Sequence, residues 1–281
     1  MTQQAAEAEP RTLAPPERRV ADVIANESLG AYRLIRARDA GGPPDPRPGQ
    51  FYMLAAAARW GGGADERPYL PRAFSFARAR ARDEGVELEF LLEAIGPGTD
   101  RLGSLEAGEG LALVGPLGVG FRSGEGRPLL VGGGIGVAPI LTLDDSMREE
   151  GAAPTVLLGF RSGAHAEAAG LFEAPRVATD DGSVGRAALV TDLLREELDA
   201  DPVAGVYACG PPPMLEAVRI LCHERGVPAQ LALESGMACG FGACFGCVVP
   251  TKQGYVRLCL EGPVLDGAEL ETALFPGAGH S

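Results

Sequence analysis

At 281 residues and 46% hydrophobic content, the chain is long enough for two domains and a small appendage. Its formal net charge of −13 argues against nucleic acid as a partner, because phosphate neutralisation requires basic surface. No stretch approaches the roughly 20 consecutive apolar residues of a membrane span, and residues 1–19 hold no apolar signal core, so no membrane contact and a cytoplasmic location are expected.

Residues 1–17 are rich in Ala, Glu and Pro and read as a disordered tail. From residue 18 to 123, short strand-like runs such as AYRLIRARDA, QFYML and VELEFLLEAI are broken by Gly and Pro, which predicts a small antiparallel β-barrel. Within it, LPRAFSFAR sets Arg72, Phe74 and Ser75 on one strand, offering a cation to a phosphate and a border to a planar ring. The run LEAIGPGTDRL adds a Gly-x-Gly-Thr turn entering a short helix, a second candidate pyrophosphate cradle.

Between residues 124 and 230 the pattern changes. Strand-like runs (PLLVGGG, PTVLLGF, AGVYACG) alternate with helix-like ones, which predicts a parallel sheet with crossover helices. In LLVGGGIGVAPIL, Gly132, Gly133, Gly134 and Gly136 form a strand-to-helix turn whose amides can approach a pyrophosphate at a helix N-terminus. VYACGPPPMLEAV repeats that grammar with Cys209, Gly210 and Pro211. Strand C-terminal ends are where open α/β sheets take ligands, so two such turns on one sheet point to a dinucleotide. Cys222 falls in a helical pattern and reads as core, and His165, His223 and His280 read as surface or structural.

Residues 231–267 carry Cys239, Cys244 and Cys247 in a C-x4-C-x2-C run, with Cys259 eleven residues further on. This is the ligand spacing of a plant-type [2Fe–2S] cluster. A structural zinc site is the alternative, although zinc modules usually pair two short knuckles; acid-labile sulfide and metal content separate the two. Residues 268–281 read as a loose tail.

The order of these segments, R-x-F-S and GPGT, then GGGIGVAP, then CGPPPML, resembles the ferredoxin–NADP reductase superfamily. The final stretch SGMACGFGACFGCVVPT…GYVRLCLEGPVL looks like the electron-transfer subunits of NAD-dependent dihydroorotate dehydrogenases. The resemblance, over residues 18–267, implies a multidomain β plus α/β protein: a flavin-binding β-barrel (18–123), a nicotinamide-binding parallel-sheet domain (124–230) and a small [2Fe–2S] domain (231–267). It implies that Arg72 meets the FAD pyrophosphate and that Phe74 and Ser75 border the isoalloxazine, with Ala73 standing where the family carries proline. Leu91, Leu92 and Glu93 match a second flavin-contacting strand, Gly98 and Thr99 a phosphate turn, and the four cysteines the cluster ligands. TDDGSVG (179–185) looks like a family segment of the nicotinamide domain. NAD is the implied dinucleotide, with Arg161 leaving NADP open.

In such enzymes dihydroorotate is oxidised on a separate FMN-containing catalytic subunit, in a heterotetramer that serves pyrimidine biosynthesis. Electrons then pass through the cluster and FAD to NAD⁺. No catalytic residue is therefore expected in this chain. A diaphorase subunit of a hydrogenase or transhydrogenase-like complex shares the same modules and is the second reading. A zinc-binding regulatory protein is the third.

Overall fold

A computed structural model describes residues 17–275 and 277, apart from 59, 61–69, 125 and 201. The expected N-terminal tail up to residue 16 lies outside the described residues, as do 276 and 278–281 of the expected C-terminal one.

The first module comprises strands β1 (Arg18–Leu29), β2 (Tyr32–Asp39), β3 (Phe51–Ala56), β4 (Arg72–Ser75), β5 (Arg78–Ala81) and β6 (Val86–Leu92), then helix α1 (Pro97–Gly103) and strand β7 (Gly110–Leu117). The strands form one antiparallel sheet in the order β4-β3-β7-β1-β2-β6-β5, coiled as a half-barrel. The two-residue period of the sequence decides what fills it. On β2, Ile35 and Ala37 turn inward, and they meet Tyr52, Phe76, Phe90 and Leu92 in the barrel core. Tyr52 stands edge-on to both Phe76 and Phe90, the preferred geometry for packed aromatic rings.

The second module is β8 (Pro128–Gly133), α2 (Val137–Glu149), β9 (Thr155–Phe160), α3 (Gly163–Ala166), β10 (Arg176–Thr179), β11 (Arg186–Ala187), α4 (Val190–Ala200), β12 (Gly205–Cys209), α5 (Pro212–Arg225) and β13 (Ala229–Ala232). These strands run parallel in the order β11-β10-β9-β8-β12-β13. Every residue of β8 and β12 is buried, as expected of strands covered by helices on both faces. Cys222 on α5 is core, as its helical pattern implied.

After β13 the chain leaves the sheet for the cysteine loop, the hairpin β14 (Val248–Thr251) and β15 (Gly254–Arg257), and the short helix α6 (Leu258–Glu261). It then returns as β16 (Val264–Asp266), antiparallel to β13, closing the sheet edge. The cysteine segment is thus stitched into the α/β sheet at both ends.

The half-barrel and the α/β module share an apolar seam. Tyr32, Ala77 and Leu91 of the barrel pack with Ala138, Leu141 and Phe172 of the second module. Polar contacts register it: Thr142 Oγ1 donates to the carbonyls of Phe76 and Ala77 at 3.0 and 2.8 Å, and Arg78 Nε donates to Asp145 Oδ2 at 2.6 Å. No helix among the described residues is long and apolar enough to cross a membrane.

Candidate functional site

A cleft of about 1000 Å³ runs along the seam, open to the C-terminal ends of β8 and β12. One wall is β4. Its residues Arg72, Ala73, Phe74 and Ser75 all line the cleft, and β4 is the edge strand of the barrel sheet. Leu91 and Glu93 line the same wall. Leu92 does not: the alternation of β6 turns it to the opposite face, where it is fully buried in the barrel core.

The Gly-x-Gly-Thr turn closes one end of the cleft. Thr99 Oγ1 accepts the amides of Ile95 and Gly96 at 2.9 and 3.1 Å and donates to the Gly96 carbonyl. Thr99 therefore shapes the turn with its hydroxyl and leaves the surface to backbone and to Gly98. Arg72 lies across Gly98 so closely that a Cβ there would stand 2.7 Å from Arg72 Nε. Arg72 Nη1 donates to the Leu70 carbonyl at 2.6 Å, which aims the guanidinium over the turn. A fixed cation above a glycine turn is a fitting seat for a pyrophosphate.

The opposite wall comes from the two glycine turns. Gly133 and Gly136 line the cleft with Cys209, Gly210 and Pro211. Gly132 is withdrawn beneath Leu158 and Val137, and Gly134 (φ 53°) forms the turn itself. Gly136 is fixed by packing: a Cβ would lie 2.5 Å from the Cys209 carbonyl carbon and oxygen, both backbone atoms. Gly136→Ala is therefore expected to lower stability by about 1–3 kcal/mol through overpacking, read as a shifted urea midpoint, and to spread the two turns. Cys209 is buried and its thiol is pushed well up by burial, with Glu234 adding to the rise. It acts as an apolar floor of the cleft.

Glu93 is tied across the seam. Arg161 Nη2 lies 3.3 Å from Glu93 Oε1, and His165 Nε2 lies 2.8 Å from that Arg161 nitrogen and 3.2 Å from the same carboxylate oxygen. His165 also stands edge-on to Tyr32 and bonds Ser162 through Nδ1. His165 is thus structural, and one nitrogen of Arg161 is engaged by Glu93. Sequence reading missed this cluster because its members lie on three separate elements.

The cysteine loop sits on the barrel. Gly240, at φ 80°, approaches Met53 of β3 so closely that a Cβ would meet Met53 Cγ at 2.5 Å. The cysteines are arranged in two pairs. Cys247 Sγ and Cys259 Sγ are 3.2 Å apart and buried. Cys239 is hydrogen-bonded by Cys244. Two cysteine pairs suit a two-iron core, in which each iron takes two protein sulfurs. Burial alone would raise the Cys239 thiol, but amides of Phe241, Cys244 and Ala243 aimed at its sulfur bring it down to about 7. Burial and the Cys247 neighbour push Cys259 up to about 12. The same amide cradle that favours thiolate at Cys239 is what a cluster sulfur requires.

A half-barrel and a parallel dinucleotide sheet sharing one cleft, with a four-cysteine loop docked on the barrel, define a flavin- and nicotinamide-linked oxidoreductase that carries an iron–sulfur centre. The fold agrees with solved structures. The NADH-dependent reduced ferredoxin-NADP oxidoreductase superimposes with a TM-score of 0.75 over 90% of each chain at 23% identity. The ferredoxin reductase of carbazole 1,9a-dioxygenase superimposes with a TM-score of 0.64 over 76% of this chain and 68% of that one, at 25% identity. Residues 234–271 match the iron–sulfur cluster binding domain of dihydroorotate dehydrogenase B. The dihydroorotate dehydrogenase B (NAD(+)) electron transfer subunit of Clostridium acetobutylicum is 36% identical over 246 residues, 86% of this chain and 91% of that protein. Its counterpart from Geobacillus thermodenitrificans is 38% identical over 235 residues, 79% of this chain and 86% of that protein. The chain belongs to the family of dihydroorotate dehydrogenase B electron transfer subunits.

Proposed function

We propose that this chain is the cytoplasmic subunit that carries electrons from an FMN-containing dihydroorotate dehydrogenase catalytic subunit to NAD⁺, in a heterotetramer serving pyrimidine biosynthesis. A flavin exchanges one or two electrons and so joins the one-electron chemistry of an iron–sulfur cluster to the hydride chemistry of a nicotinamide. Arg72 and the Gly98 turn would hold the FAD pyrophosphate, with Ala73, Phe74, Ser75 and Leu91 along the ring. Gly133, Gly136, Gly210 and Pro211 would take NAD, and the four cysteines the cluster. On this reading residues 18–123, 124–230 and 231–267 are the three functional modules.

The observation that carries the reading is the seat of the Gly240 loop on Met53, which faces Ala73 of the cleft wall in the strand pairing. On this reading that contact would bring the cluster close to the strand that borders the flavin. Family membership favours it over the hydrogenase-type diaphorase and the zinc regulator. The test is visible spectroscopy of the purified complex, titrated with NADH in one sample and with dihydroorotate in another. Bleaching of both flavin and cluster bands by either donor is expected; bleaching by NADH alone, with no dihydroorotate-oxidising partner retained, would sink the assignment.

A further inference from the structure

The segment expected to be a loose tail returns to the cleft. Beyond β16, Lys252 of the β14–β15 hairpin pins the chain, its amide donating to the Glu269 carbonyl at 2.9 Å and its Nζ to the Ala268 carbonyl at 2.8 Å. Leu270, Ala273 and Phe275 are then buried in the core that α5 shares with the sheet. Glu216 on α5 accepts the Ala273 amide at 2.6 Å and is gripped by Arg219, whose Nε and Nη2 donate to its two oxygens at 3.0 and 2.7 Å. The Arg219 bonds come first, and the Ala273 amide assists, in holding the Glu216 carboxyl down at about 2. That anchor therefore stays charged throughout the neutral range and is lost only as pH falls from the usual carboxylate range towards 2.

What the anchor presents is apolar. Leu274 is 51% exposed although its neighbours Ala273 and Phe275 are buried, and both Leu274 and Phe275 line the cleft with Pro211–Pro213 at the start of α5. A leucine held half in water at the mouth of a cleft gains only when something flat and apolar covers it. Its neighbour Ala273 is held by Glu216 on α5, the helix that starts directly after the glycine turn following β12.

We propose that Leu274 and Phe275 form the docking wall for the nicotinamide ring, and that Glu216 is a positioning residue that sets this wall through the Ala273 amide. The proposal rests on the reading that the cleft takes NAD. Phosphate and adenosine contacts fall to other residues, so the wall discriminates a dinucleotide that carries the ring from one that lacks it.

The experiment compares NAD⁺ with ADP-ribose, which has no nicotinamide, by calorimetry on the oxidised, FAD-loaded complex. Leu274→Ala, at an exposed position that leaves the fold intact, is expected to weaken NAD⁺ about fivefold, the value of half a buried leucine, and to leave ADP-ribose unchanged. Glu216→Ala is expected to show the same split together with faster amide hydrogen exchange over residues 268–275, and Glu216→Gln, which keeps an acceptor for Ala273, to recover part of it. Equal losses for both ligands, or none for either, would overturn the wall. A wild-type complex that holds FAD yet binds neither ligand would overturn the functional reading, and the wall with it.

Discussion

Cys244→Ser is expected to remove the visible absorbance and acid-labile sulfide of the cluster while FAD stays bound in its normal ratio. A serine oxygen is a harder and far more weakly acidic ligand than a thiolate, and Cys244 lies on the exposed side of the loop. Loss of an outer partner of a metal ligand already costs about 10–100-fold in affinity, so loss of a ligand itself exceeds that. Electron delivery to or from the partner subunit should fall to background, while reduction of the flavin by NADH continues. The separation is structural: the flavin wall is built by β4 and the α1 turn, and the loop touches that module through Gly240 at Met53. Cys222→Ser is the control. Its thiol is buried in α5 and raised to about 12 by that burial, so this change affects packing and spares the cluster. Loss of FAD from a folded Cys244→Ser protein, with sulfide retained, would contradict the assignment.

The parts of this molecule that sequence revealed are those where backbone chemistry forces residue choice locally. Gly136 is glycine because Cys209 backbone lies against it, and such glycines cluster into visible turns. The cysteine spacing is legible for the same reason, since one loop must supply three ligands. Leu91 and Leu92 read as one block in LLE, yet the two-residue period of the strand sends them to opposite faces and different cores. Thr99 was legible as part of a turn, but its hydroxyl is spent on the amides of Ile95 and Gly96. The return of residues 264–266 to the α/β sheet and of 270–275 to the cleft depends on partners more than thirty residues away, Ala232 and Glu216. Polarity and glycine content near a chain end look the same whether such partners exist or not. The Glu93–Arg161–His165 cluster is hidden for the same reason, as it forms only once two modules dock.

Arg72→Ala is expected to weaken FAD retention by about 10–100-fold, the equivalent of one charge-assisted hydrogen bond of about 1.5–3 kcal/mol. Gel filtration at low protein concentration should yield apo-flavoprotein with its cluster intact. Arg72→Lys should recover only part of the loss, because an ammonium cannot present the planar fork of donors. The structure supplies an independent perturbation of the same contact. A methyl at Gly98 would stand 2.7 Å from Arg72 Nε and 2.9 Å from its Cζ, and these atoms end a flexible side chain that can swing away. Gly98→Ala should therefore leave the fold standing, displace the guanidinium and weaken FAD in the same direction. If both changes act through one contact, the double variant loses little more than Arg72→Ala alone, since residues sharing an interaction are not additive. Strict additivity would mean that Gly98 serves the flavin through its own amide and that Arg72 acts elsewhere.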